Sequence, residues 1–291
     1  MKSLRDVLSE EMLMMDDINK YWQVYQRALI PKTPPHQSPP IKQLSSWYLL
    51  KRGLLFARWE EEFDCGYETE WYHVIKDDVF DISKLNSNRR YKITKGKRYF
   101  YCKIIDKNDF ANDIYNVTLK AFSAYPAKYR PTINKKKFID ALLNKKEENV
   151  VYVGCFDRAK DVLCGYAELI CDNDYVSYSV HKVIPEEEKR QVNASLVCGV
   201  LDYFESIDKY RYIDDGAKNI RHETNFQGYL RIYFGFRKAY GKLNIIYNPI
   251  LKMVVYLLYP FKSILIKLDN FNMFHNINSV LEQERIRRSF L

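Results

Sequence analysis

VVYVGCF (150–156), LCGYAELI (163–170) and YVSYSVHKV (175–183) are three β-prone runs in succession, and PEEEKRQVNASLVCGVLDYFES (185–206) comes after them with helical spacing. DRAKD between the first two reads as a hairpin turn, and CDND leads into the third. The fourth stretch opens on proline and acids, as a helix N-terminus should, and carries Val192, Leu196, Val200, Leu201 and Phe204 inward. Downstream, RYIDDG (211–216) reads as a short strand, TNFQGYLRIYFGF (224–236) as a helix with a Thr or Asn N-cap and a terminal glycine, and KLNIIY (242–247) as a strand. The order β-β-β-α-β-α-β predicts an α/β fold, a mixed sheet with helices on both faces.

Upstream the signals are shorter. Apolar positions from Leu4 to Leu29 recur at helical spacing and predict one helix, broken at most once. PKTPPHQSPP (31–40) places five prolines in ten residues and predicts an extended connection. SWYLLKRGLLFARW (46–59), TEWYHVIK (69–76) and YFYCKIID (99–106) read as strands, and DISKLNSNRRYKITKGKR (81–98) as a surface helix. DFANDIYNVTLKAFSAY (109–125) and KKKFIDALLNKKEEN (135–149) read as helices. The expected division is a helix and Pro-rich connection at 1–45, an N-terminal half at 46–134, a core at 135–248, and an apolar basic segment with a helix at 249–291.

Composition limits the chemistry. The 291 residues carry 46 Lys or Arg against 37 Asp or Glu, a net charge of +9, and 47% are hydrophobic, enough for a substantial core. Only 10 glycines occur, and no GxGxxG or GxxxxGK[ST] pattern is present, which excludes the usual dinucleotide and P-loop readings. Six cysteines without a CxxC pair, and few histidines, predict reduced thiols in a cytoplasmic protein with no metal site. The acid-bearing start MKSLRDVLSEEMLMMDD argues against a signal peptide. In NPILKMVVYLLYPFKSILIKL (248–268) the longest uncharged run, MVVYLLYPF, is too short to cross a bilayer, which takes about 20 apolar residues. The segment either packs on the core or another subunit, or lies peripherally on the inner face of a membrane.

Three features resemble the GNAT acyltransferase superfamily and its FemAB-like, polysaccharide-locus branch: Val183 and Pro185 before the long helix, the helix ending Gly235-Phe236, and the basic segment NRRYKITKGK (88–97) after a strand. The resemblance implies a GNAT-like mixed sheet preceded by a partial FemAB-like half. It also implies transfer of an acyl group from a thioester, acyl-CoA, to an amine or hydroxyl of a cell-envelope or polysaccharide precursor, without metal. Its phosphate-binding turn falls on Lys189, Arg190, Gln191, Val192, Asn193 and Ala194, where Val192 replaces the central glycine and crowds the usual coenzyme A pose. An aminoacyl-tRNA donor is the alternative, and a binding protein that keeps the fold is a third reading. Arg231 stands where the superfamily places a tyrosine that protonates the leaving thiolate, with Tyr229 and Tyr233 as neighbours.

His222, in the polar loop DDGAKNIRHETN (214–225), is the expected general base, or else a loop histidine capping the next helix. Asp214 and Asp215 end a strand, where they either face the same cleft or form an ordinary turn. Glu168, in GYAELI, is the alternative base, with a pKa raised by partial burial, or an edge-exposed residue. His181 ranks below His222 because its face along the strand is not settled. Arg89, Arg90, Lys92 and Arg221 are candidates for the substrate, and Asn225 and Arg237 for the donor; the six cations between Arg89 and Arg98 suit phosphate or tRNA, or form a solvated face.

Overall fold

The structure is a computed structural model that describes residues 18–125, 127, 130–145, 149–207, 209–220, 225–269 and 272–290. The helix expected up to Leu29 is present at residues 18–21, and its part before residue 18 lies outside the described residues; from Trp22 the chain instead forms a hairpin of β1 (Trp22–Tyr25) and β2 (Ala28–Pro31), turning at Gln26 and Arg27 with φ of 48° and 64°. Burial decides against the helix: Trp22 and Leu29 enter one core, with Trp22 edge-on to Trp59 at 6.3 Å. The strand expected over 46–59 is also corrected. Ser45 caps α1 (Ser46–Lys51) by accepting the Tyr48 N–H, Gly53 turns the chain at φ 67°, and only β3 (Phe56–Glu61) is extended.

β4 (Trp71–Lys76), α2 (Ser87–Tyr99), β5 (Phe100–Ile105), α3 (Lys107–Ser123) and α4 (Lys135–Asn144) agree with the sequence reading, and Asn86, Asp106 and Asn134 cap the three helices. So do β6 (Val150–Asp157), β7 (Leu163–Asp172) and β8 (Tyr175–Val183). The long helix expected from Pro185 is two pieces: a 3-10 stretch over Pro185–Arg190, then α5 (Val192–Glu205), joined by Gln191 at φ 69°. β9 (Tyr212–Ala217), α6 (Phe226–Phe234) with Gly235 at φ 70°, and β10 (Arg237–Tyr247) complete the alternation. The chain then turns helical through α7 (Pro249–Leu258), α8 (Lys262–Leu265) and α9 (Asn272–Arg288).

The described residues fall into two compact units. One is drawn from Met1–His73, Ala217–Asn225 and Lys238–Leu291, the other from Val74–Gly216 and Phe226–Arg237, so the expected boundary at 134/135 lies inside the second. In the first, β1, β2, β3 and β10 are successive neighbours, with β2 parallel and β10 antiparallel to β3. In the second, the strand order is β9-β8-β7-β6-β5, antiparallel except for the parallel pair β8 and β9. Strand alternation puts helices on both faces of this sheet: Gly165 lies toward Leu196 of α5, and its neighbour Tyr166 bonds Thr118 of α3 at 2.8 Å.

Pro249–Leu268 corrects the sequence expectation in one respect. It is 20 residues long and holds an 18-residue stretch of mean hydropathy 1.5, long and apolar enough to cross a membrane by length and composition, and only 11% of that stretch is buried.

α2 lies against the start of α5 through Gly96, where an added Cβ would come 2.7 Å from the Gln191 carbonyl oxygen. Gly96→Ala gains up to about 1 kcal/mol of helix propensity but forces two backbones apart. A net destabilisation of about 1–2 kcal/mol is expected, read as a lower urea midpoint at unchanged slope.

Candidate functional site

β8 and β9 pair only where Tyr175–Ser177 meets Tyr212–Asp214; beyond that point each strand runs on without the other. A wedge at the carboxyl ends of a parallel pair is where open α/β sheets bind ligands. The register between β7 and β8 shifts at the same height, Glu168 opposing Val180 and Leu169 opposing Tyr178, so Ser179 is a bulge residue. The bulge undoes the strict alternation of β8. Tyr178 and His181, three apart and expected on opposite faces, have ring centroids 6.0 Å apart, and α6 sets Phe226 against both at 6.1 and 4.5 Å.

An aromatic run continues along α6. Phe226 stacks on Tyr229 at 6.1 Å, and Tyr229 meets Tyr233 at 5.0 Å. Lys92 of α2 donates to the Tyr233 hydroxyl at 2.9 Å, and the Arg89 guanidinium lies 5.8 Å from its ring. Because the Tyr233 oxygen accepts from Lys92, its own proton is left to donate. Asp215 is at the other end. Burial, and then the charge of Asp214, push its carboxyl up to about 8, and its field reaches Tyr178, whose phenol burial raises well above the usual range.

The Tyr178 hydroxyl and the His181 Nδ1 are buried with no hydrogen-bond partner among the described residues, which marks them as groups open to a ligand. The other His181 nitrogen, Nε2, donates to Asn193 Oδ1 at 3.0 Å, and burial lowers the imidazole to about 4, so it is neutral at pH 7. The aromatic run therefore has an acid that titrates near neutrality at one end and a cation-supported phenol at the other. Such a set can take a proton from one group and give one to another.

Of the expected site residues, Asp215, Tyr229, Tyr233, Arg89 and Lys92 belong to this cluster, with Asp214 buried beside it. Arg90 is exposed and donates to the Ser83 carbonyl at 3.3 Å. His222 and Arg221 lie outside the described residues. Glu168 is neither exposed nor raised: burial alone would push its pKa up, but hydrogen bonds from Lys145 (2.7 Å), Ser179 (2.6 Å) and Tyr152 (2.7 Å) outweigh it and hold the carboxylate below its usual range.

In the expected phosphate-binding turn, Arg190 and Asn193 are committed internally. Arg190 pairs with buried Asp157 at 2.6 Å and Glu187 at 2.7 Å, and its guanidinium lies 4.7 Å from the Tyr99 ring. Asn193 serves His181, Val192 and Ala194 are buried, Gln191 takes the left-handed turn, and Lys189 is exposed. Arg237 is held by Asp77 at 3.0 and 3.1 Å, and Asn225 is exposed. Sequence reasoning missed Tyr178 and Phe226, which stand in no motif. Among the described residues no His, Cys, Asp or Glu group is placed to hold a metal ion.

Antiparallel β6, β7 and β8, the parallel partner β9 and the intervening α5, followed by α6, make the fold GNAT-like. It is shared with L-PGS of Bacillus licheniformis, at TM-score 0.52 and 12% identity over 78% of this chain and 79% of that one. The C-terminal domain of a putative lysylphosphatidylglycerol synthetase of Agrobacterium fabrum is similar at TM-score 0.52 and 8% identity, over 81% and 82%. The PaiA N-acetyltransferase of Thermoplasma acidophilum, solved with coenzyme A, aligns with 37% of this chain and 72% of its own at TM-score 0.29 and 14% identity. No protein-family model and no curated protein sequence matches the chain.

Between about pH 4, where an unfolded aspartate releases its proton, and about 8, folded Asp215 still holds one. The folded protein thus loses stability as pH rises through this window. Asp215→Asn removes that loss, so the variant should melt progressively higher than the parent from pH 4 to 8 and equal it below. Calorimetry across the range checks this.

Proposed function

We propose that the protein is a transferase that moves an acyl or aminoacyl group onto an amine or hydroxyl, with its reaction in the β8–β9 wedge. Asp215 carries the reading, a carboxyl with its pKa near 8 at the mouth of a splayed parallel pair. In the mechanism, ionised Asp215 takes the acceptor's proton as its nitrogen or oxygen attacks the donor carbonyl. Tyr233 gives its proton to the departing sulfur or oxygen, and the Lys92 ammonium stabilises the phenolate left behind. The Asp215 proton then passes to solvent, and Tyr233 is reprotonated. The acceptor class implied by the resemblance is a cell-envelope or polysaccharide precursor.

One observation favours an aminoacyl-tRNA ester over acyl-CoA as donor. Arg190, one of the two cations expected to hold a coenzyme A pyrophosphate, already has two carboxylate partners, whereas Arg90 and Arg98 on α2 are exposed. One similar structure is named for lysylphosphatidylglycerol, a lysyl group joined to a lipid, which supports aminoacyl transfer in the general sense.

The test is titration of the purified chain with acetyl-CoA, coenzyme A and charged tRNA at two salt concentrations, then transfer to a nucleophile such as hydroxylamine. Transfer should rise with pH through about 8, and Asp215→Asn should lower it by about 100-fold or more and remove that limb. An Asp215→Asn enzyme with full rate and the same pH profile would overturn the assignment.

A further inference from the structure

The segment from α7 to Leu268 has two apolar faces, and only one is used. Leu251, Val255, Leu258 and Leu265 pack with Tyr247 and with Ile277, Val280 and Leu281 of α9. On the other side Ile250, Met253, Tyr256, Leu257, Phe261 and Ile264 are each 55–73% exposed, at positions that helical spacing gathers along one stripe. An apolar stripe of this length on a water-facing helix marks an interaction site.

Charge selects the occupant. Pro249–Leu268 contains Lys252, Lys262 and Lys267 and not one Asp or Glu. A second copy docked on the same stripe by two-fold symmetry would face lysines with lysines and supply no acid from it. Spanning a bilayer would strip the packed face from α9 and carry Lys262 into hydrocarbon. A surface with negative headgroups above an apolar layer satisfies both the stripe and the lysines.

We propose that the α7–Leu268 stripe is a docking surface for anionic lipid bilayer, lying flat with Met253, Tyr256 and Ile264 in the acyl boundary and Lys252 and Lys267 at the headgroups. The inference is independent of the reaction assigned to the wedge.

The test is sedimentation of the full chain with vesicles of phosphatidylcholine alone or mixed with phosphatidylglycerol. The parent should pellet with the mixed vesicles and bind the neutral ones about tenfold more weakly. Met253→Asp/Tyr256→Asp/Ile264→Asp, three exposed positions, should lose binding about tenfold or more, and Lys252→Glu/Lys267→Glu should lose the preference for phosphatidylglycerol. Unchanged thermal melting shows that the variants are folded; if the triple variant is not, the lysine pair alone decides. Equal binding by parent and folded variants would mean that basic charge elsewhere on the chain holds the lipid, and would overturn the proposal. So would a parent that ignores both vesicles, or one that self-associates through the stripe in equilibrium sedimentation without binding lipid.

Discussion

A buried carboxylate, Glu168, accepts the hydroxyl of Ser179, the one residue of β8 that the shifted register leaves without an opposite number on β7. The site depends on that bulge. It twists β8 just where β9 ceases to pair with it, and it brings Tyr178 and His181 to the same side. Lys145 and Tyr152 complete the shell around Glu168, so a group expected to move protons is instead fixed as an anion that holds backbone geometry. Removing one donor from such a shell would leave buried charge under-compensated.

The C-terminal alternation was legible because each element there announces itself locally. Val150–Asp157, Leu163–Asp172 and Tyr175–Val183 are dense in β-branched and aromatic residues, and Gly235 ends α6 in the left-handed turn that its residue type favours. Near the N-terminus, Trp22, Tyr25 and Leu29 share helical spacing by coincidence, and a turn made by Gln26 and Arg27 without glycine or asparagine sent no signal. Likewise the β-prone composition of residues 46–59 concealed the cap at Ser45 that starts the helix Ser46–Lys51.

In the candidate site, Asp215 stands at a strand end and Arg89 and Lys92 in a basic helix, both visible in the string, whereas Tyr229 and Tyr233 entered as neighbours of the position where the resemblance places a tyrosine. What stayed hidden was pairing. That Arg190 would be claimed by Asp157, thirty-three positions away, is a tertiary fact with no local trace. The face of His181 was equally hidden, because a bulge changes the parity of every residue beyond it. The turn at 189–194 does lead into a helix, yet its cation serves the protein itself.

The two units are interleaved along the chain, which passes between them at 73/74, 216/217, 225/226 and 237/238. The unit holding the wedge is nearly continuous and has all its parts by Arg237, whereas the other must bring Trp22 and Trp59 together with strand and helix residues beyond Lys238. Closing loops of that length is slow, because their entropy is spent before any contact rewards it. During synthesis the wedge unit can therefore acquire its sheet first, while β3, already flanked by the hairpin, waits for β10, its partner made last. The order in which the ribosome delivers the chain thus sets which half is exposed to misfolding, and it is not the half that holds the chemistry.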